Sequence, residues 1–319
     1  MKKNVLFWVM MALVTFTSCN SNDDSGNGEI TIPGVTFNGD EECCLPEEAL
    51  GVYKFLNTVK EIPELATEIP DKYDVKVYSK DGSLHVGYND IYFVVTKKST
   101  SNYVKDFRVT NVVPLMTMEG KMKMQHSTPV GSAVEPASND YPAVRRGWVS
   151  FLMNSSDNGY WNLSYDVNVL GEKSSVKDAG ITVNALPEGQ DWLKSFKVGD
   201  KTYYLSLVNP GSWKTGTNDI VAYVSEVSNP NTEPFPVSKE KFTIEIDPRM
   251  PDMGNHTSPD NVALTRQING SYNGTINLTM TGLWRIHLTV KDADGKVVYG
   301  GEGQQDGDGF SNLFWDVTL

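Results

Sequence analysis

Short apolar runs, alternating or continuous and broken by Asn, Asp, Gly or Pro, recur along most of this chain. Ile91-Tyr-Phe-Val-Val95 and Ile220-Val-Ala-Tyr-Val224 are β-rich runs, each following an Asn-Asp pair. Phe242-Thr-Ile-Glu-Ile246 alternates strictly, the pattern of a strand with one buried face. Trp284, Ile286, Leu288 and Val290 fall on one side of a strand, with Arg285, His287 and Thr289 on the other. Asp292-Ala-Asp-Gly295 predicts a hairpin turn into Lys296-Val-Val-Tyr299. Leu313 to Leu319 reads as a closing strand, with a counterpart near Ile181-Thr-Val183. A helical period is best kept over Glu47 to Thr58, which equally suits a first strand. Some seven short strands in each half predict an all-β fold of immunoglobulin-like sandwiches, roughly as that class requires.

The halves repeat. Lys80-Asp-Gly-Ser-Leu-His-Val-Gly-Tyr-Asn-Asp-Ile91 aligns without a gap on Asn209-Pro-Gly-Ser-Trp-Lys-Thr-Gly-Thr-Asn-Asp-Ile220. Pro114-Leu-Met116 then matches Pro248-Arg-Met250, and His126-Ser-Thr-Pro129 matches His256-Thr-Ser-Pro259. Gly147 to Met153 matches Gly274 to Met280, and Gly159-Tyr-Trp161 matches Gly282-Leu-Trp284. Matched blocks in a constant order mark a duplicated unit. The copies are placed at about 45–185 and 186–319.

The ends set the compartment. Lys2 and Lys3 precede an apolar run from Val5 to Phe16, too short to span a bilayer comfortably and proportioned as a cleaved signal. Thr17-Ser18-Cys19 resembles a bacterial lipobox, which implies cleavage after residue 18 and a lipid on Cys19. Residues 19–44 then form a tether, polar and acidic at its start, expected to be flexible. Asp23-Asp24 within it resembles a sorting tag for the outer membrane, facing the periplasm or the cell surface. Without the two signal lysines the chain has 26 basic against 40 acidic residues, a charge of about −14. That balance argues against nucleic acid and anionic lipid as partners, since both demand positive patches.

The chemistry concentrates in one loop per copy. The first carries Met116, Met118, Met122, Met124 and His126, and the second Met250, Met253 and His256. Thioether and imidazole donors together suit a soft transition metal, Cu(I) above all, and methionine binds it without losing a proton. Met122 with Met124, and Met116 with Met118, project to common sides of an extended chain. The bland alternative is that these methionines fill gaps in a core. That reading is the stronger one for Met153 and Met280, in apolar strands, and the weaker one in loops rich in Lys, Gln, Asp and Asn. His85 and His287 read as solvated surface. Cys43 and Cys44 are too close for an ordinary cross-fold staple, leaving a vicinal disulfide, free thiols or a second soft-metal site.

The second copy resembles the YtkA-like/FixH-like family of exported domains. The residues that carry the resemblance are Met250-Pro-Asp-Met253-Gly-Asn-His256, Tyr272-Asn-Gly274 and Leu278-Thr-Met-Thr-Gly-Leu-Trp284-Arg-Ile286, within roughly residues 240–292. The first copy fits more loosely, with Gly147-Trp148 and Asn158-Gly-Tyr-Trp161 but a longer loop lacking Met-Pro. The resemblance implies an immunoglobulin-like domain grouped with copper-handling and oxidase-assembly proteins.

Signatures of catalysis are missing: no phosphate-cradling glycine loop, no His-Glu-x-x-His and no Gly-x-Ser-x-Gly elbow. The chain is therefore expected to be a membrane-tethered, non-enzymatic binder of copper that sequesters the metal or passes it to a protein partner. The alternative is a cell-surface module that binds protein or glycan through its methionines and through Trp148, Trp192 or Trp213, without metal.

Overall fold

The computed structural model describes residues 30–120 and 122–319, so the signal, Cys19 and the first part of the expected tether lie outside the described residues. Residues 31–44, expected as the rest of a flexible tether, instead pack on the first half: Ile32, Cys43 and Cys44 are buried, and Thr36 and Cys44 donate backbone N–H groups to Thr100 and Tyr103. One helix precedes a succession of strands. Helix α1 (Pro46–Leu56) begins with Pro46 and places Glu47 and Glu48 in its first turn, where the helix dipole favours negative charge. Glu48 Oε2 also accepts the Leu45 N–H at 2.8 Å. Ala49 and Val52, one turn apart, are its buried face. The ambiguity over Glu47–Thr58 thus resolves as helix. Phe55 at its end stacks on Tyr141, ring centroids 4.5 Å apart.

The first half contributes β1 (Tyr73–Ser79), β2 (Gly87–Lys97), β3 (Phe107–Met118), β4 (Met124–His126), β5 (Val144–Phe151), β6 (Gly159–Val169) and β7 (Glu172–Ile181). One sheet runs Lys60–Glu61, β1, β2, β5, Glu135–Pro136, and the other runs β7, β6, β3, β4. The second half contributes β8 (Leu193–Val198), β9 (Lys201–Leu207), β10 (Gly216–Glu226), β11 (Thr243–Met250), β12 (His256–Thr257), β13 (Val262–Arg266), β14 (Ser271–Leu278), β15 (Leu283–Lys291), β16 (Val297–Tyr299) and β17 (Phe314–Thr318). Here the strands join in one path, β8-β9-β10-β14-β13-β11-β15-β16, with β12 on β11 and β17 on β15. The difference has a local cause. Strand β13 pairs on both sides, whereas its counterpart Glu135–Pro136 pairs with β5 alone.

Strict alternation places the cores. In β6, Trp161, Leu163, Tyr165, Val167 and Val169 are buried, and in β15 so are Trp284, Ile286, Leu288 and Val290. The buried apolar side chains form one cluster within residues 43–183 and another within 196–317. The fold is an all-β sandwich.

The repeat extends to register and hydrogen bonds. Gly87 faces Phe151 as Gly216 faces Leu278. Asn89 accepts from the backbone of His85 and donates to His85 and Gly87, and Asn218 does the same with Lys214 and Gly216. Both glycines adopt positive φ, 83° and 101°, which residues with a Cβ rarely do.

The halves also pack on each other. Ser206 Oγ donates to Ser150 Oγ at 2.7 Å with both serines fully buried. The Trp148 and Tyr223 rings lie 4.5 Å apart, and Tyr88 stacks on Tyr223 and meets Trp148 at a tilt. Backbone bonds tie Ser127, Thr128 and Val130 to Asn231 and Phe235. Trp148, expected as an exposed contact residue, is therefore buried, while Trp192 and Trp213 are half-buried.

Candidate metal centre

Strands β3 and β4 form a hairpin at one end of the second sheet of the first half. Met116 lies directly opposite His126, Thr117 opposite Gln125, and Met118 opposite Met124. Directly opposed residues project to the same face, and alternate residues share it, with Cβ atoms roughly 4.5–5.5 Å apart across the pair. Met116, Met118, Met124 and His126 therefore occupy one face as a two-rung ladder. The Gln125–Thr117 side-chain bond, 3.0 Å, marks the opposite face.

The ladder climbs out of the core. On its inner rung Met116 is 1 % exposed and packs in the interior beside its cross-strand neighbour Trp161, while His126 is half-buried. On the outer rung Met118 is half-buried and Met124 is 55 % exposed. Met122 sits in the connecting turn and is largely exposed. The His126 ring meets Trp161 edge to face, centroids 5.5 Å apart. Its Nδ1 donates to the Ser127 carbonyl at 2.8 Å, so Nε2 is left as the lone-pair nitrogen. That bond fixes the ring in the way an outer partner fixes a metal-ligating histidine.

The second half shows a counterpart of the inner rung alone. Met250 lies opposite His256, buried against exposed, and Met250 touches Gly282 as Met116 touches Gly159. Met253 is on a single 3-10 turn, Pro251–Met253, with its side chain exposed. No outer rung forms, because the second loop is shorter.

Several expectations need correction. Met116, Met118 and Met250 are not in loops but at strand ends, and Met116 and Met250 face the core, where their sulfurs fill interior space. Met153, expected in the core, is exposed beyond the end of β5, whereas Met280 packs against the second core as expected. His287, expected at the surface, is 5 % exposed, with Nδ1 bonded to the Ser311 carbonyl at 2.6 Å and Phe310 and Phe314 at its sides. The signal for that burial is the aromatic pair in the distant segment 310–314, which local periodicity does not connect to β15. Trp192, Trp213 and His85 are partly exposed, and His85 reaches Asp81 at 3.3 Å.

Cys43 and Cys44 are free and buried. Burial pushes both thiols up, Cys44 to about 12, which disfavours the thiolate that a soft metal needs. Cys43 does adjoin Asp40 and Glu42, with ligand atoms within 4.8 Å of one another. Lys97 already answers that charge, bonding Glu42 and, at 2.7 Å, Asp40.

Compared with known proteins, residues 197–289 match the YtkA-like family model. The match runs from the end of β8 into β15 and includes the second methionine loop; the first copy lies outside it. It reaches further toward the N-terminus than the resemblance read from sequence. No curated protein matches the chain.

Proposed function

We propose that this protein is an exported lipoprotein, anchored through a lipid on Cys19, that binds a soft metal ion, Cu(I) above all, for sequestration or transfer to a partner protein. The observation that carries the reading is the shared face of the β3–β4 hairpin. Two thioethers and an imidazole, from Met118, Met124 and His126, share that face, with Met116 buried beneath and Met122 exposed in the connecting turn. Three soft or borderline donors on neighbouring cross-strand positions suit a monovalent copper ion better than any hard cation. The second loop offers only Met253 and His256 above a buried Met250, and serves as the weaker of two sites. The YtkA-like match of residues 197–289 accords with an exported β-sandwich domain. Tandem copies at 45–185 and 186–319 are part of the same proposal, as is attachment at the outer membrane.

Titration of the full chain with Cu(I), or with Ag(I) as its redox-inert stand-in, tests this. Binding is expected to raise the melting temperature, since a ligand that prefers the folded state must do so. Joint replacement Met118→Leu, Met124→Leu and His126→Ala is expected to abolish most of that shift, and Met250→Leu, Met253→Leu and His256→Ala a smaller part. An unchanged shift in both variants overturns the copper reading. The exposed Met122, Met124 and Met253 also favour a second reading, a protein-docking surface, which that outcome would leave standing.

A further inference from the structure

The two halves close their sheets differently, and the difference leaves an opening in the first. Trp161 matches Trp284, so Val167 on β6 matches Val290 on β15; opposite them stand Val109 and Ile244. Gly147 matches Gly274, so Arg146 on β5 matches Asn273 on β14; opposite them stand Glu135 and Thr265. Side-chain bonds follow the same match. Arg145 donates to the Lys105 and Phe107 carbonyls, and Tyr272, its counterpart, bonds the Glu240 carbonyl and the Phe242 N–H. In the second half Ile244 pairs with Leu264 and Thr243 with Thr265, which joins β11 to β13. The equivalent residues of the first half, Val109 with Val134 and Arg108 with Glu135, do not pair. They line instead a cleft of about 660 Å³, the size of a ligand site.

Both rims of the cleft are strand edges with unused main-chain groups. Arg145 Nε reaches the Phe107 carbonyl on the side away from β6. By alternation Val109 turns its N–H and C=O the same way, into the cleft. On the far rim, Gly131 and Ala137 give their N–H groups to the Trp148 and Val144 carbonyls of β5. Val134 therefore turns its own N–H and C=O away from β5, into the cleft that it lines. Among the described residues no backbone bond crosses from rim to rim. Open edges of this kind recruit another strand. The inner wall is apolar, with Phe107 and Val109 in the first core and Val134 packed against it. The charges of the lining cancel, Asp106 and Glu135 against Arg108 and Arg145, although the whole chain is acidic.

We propose that this cleft takes up an extended peptide from a partner protein as an added strand between β3 and Glu135–Pro136. The second half identifies the occupant, because there the same seam is closed by strand pairing. Main-chain bonds to Val109 on one side and Val134 on the other give affinity, and alternate side chains against Phe107 give specificity. The balanced charge and apolar inner wall select a peptide with an aliphatic residue at every second position and no net charge. This surface lies at the opposite end of β3 from the methionine ladder and does not depend on metal.

The probe is the end-capped peptide Asp260–Gln267, which contains β13, has no net charge and carries Val262 and Leu264 in alternation. Labelled and titrated against the full chain, it is expected to bind saturably by fluorescence anisotropy and to slow amide exchange at Val109 and Val134. Methylation of the peptide's Leu264 nitrogen removes one main-chain donor and is expected to weaken binding about 10-fold. Because that change is in the peptide, the fold of the protein is not at stake. The proposal is overturned if the peptide does not bind, if the methylated peptide binds equally well, or if the slowed amides lie on β7 or β11 instead. A chain that is already dimeric, with the Val109 amide slow before peptide is added, makes a second copy the occupant and overturns it too.

Discussion

The indole of Trp284 donates to the Met280 carbonyl at 2.9 Å, and Trp161 makes the same bond, at the same length, to the Met153 carbonyl. Both tryptophans are fully buried, each opposite the end of the strand that carries its methionine rung. A buried indole N–H needs a partner, and the repeat supplies it from the turn just before the strand. The bond anchors that turn to the core and so sets the wall against which Met116 and Met250 pack.

Trp284→Phe removes the donor, strands the Met280 carbonyl and leaves a void. Lost transfer, cavity and hydrogen-bond contributions sum to about 2–4 kcal/mol of destabilisation. Trp161→Phe is expected to cost a similar amount in the first half. Urea unfolding of the two variants checks this; a change under 1 kcal/mol in either would show that the anchor matters little.

Asn89 and Asn218 separate burial from bonding. Each makes the same three bonds to backbone, yet Asn89 is 8 % exposed while Asn218 is only half-buried. Water replaces lost partners at the more open site and not at the closed one. Alanine at Asn89 is expected to cost about 2–3 kcal/mol, and at Asn218 about 1 kcal/mol. Equal costs, measured by chemical denaturation, would mean that the turn geometry rather than burial sets the penalty.

Much of the architecture was legible in the chain because period-2 patterns and turn residues report local geometry. The β15 face of Trp284, Ile286, Leu288 and Val290 is buried as its alternation requires. The Asp292 turn forms, with Asp292 Oδ1 accepting the N–H groups of Asp294 and Lys296. What failed was depth. Polar neighbours such as Lys123 and Gln125 placed Met116 in a loop, yet its own side chain follows the strand alternation inward. His287 failed for the complementary reason, since Phe310 and Phe314 arrive from a separate segment and cover a face that its strand leaves open. The paired rungs were legible as spacing in the repeat, but their common face required the register of β3 on β4.

The rungs also separate packing from binding. Met116→Leu conserves volume at a buried site and is expected to cost less than about 1.5 kcal/mol, with the Ag(I) response retained. Met124→Leu, more than half exposed, is expected to leave stability unchanged within about 0.5 kcal/mol and to weaken the response. Paired melting curves with and without Ag(I) read both quantities. Loss of the response in Met116→Leu alone would transfer the donor role to the inner rung.

Gly51 reverses the usual sign of a helix substitution. Propensity alone makes Gly→Ala in a helix interior stabilising by about 1 kcal/mol. A Cβ at Gly51, however, would lie 1.9 Å from the Asp140 carbonyl oxygen, a backbone atom that no rotamer change can move. The contact wins: Gly51→Ala is expected to push α1 off the sheet and lower the melting temperature. A rise instead would show that the segment around Asp140 yields freely.

Cys44 gives the alkaline limb a defined sign. Burial first, then the nearby Glu48 charge, raises its thiol to about 12, whereas in the unfolded chain a cysteine titrates near its ordinary 8.5, about the solution value. The folded state therefore keeps a proton that the unfolded state releases. The stabilisation is complete below the unfolded value and is lost as pH climbs from about 9 toward about 12, at up to about 1.4 kcal/mol per pH unit for one proton. Tyr73, raised to about 12 by burial and by Glu42, adds to the same limb, so the cysteine is isolated by substitution. In Cys44→Ala the fall in stability between pH 9 and 11 is expected to be shallower than in the unaltered chain. Identical slopes in urea unfolding across that window, or rapid alkylation of native Cys44 at pH 8, would place the thiol in contact with water rather than under the sheet.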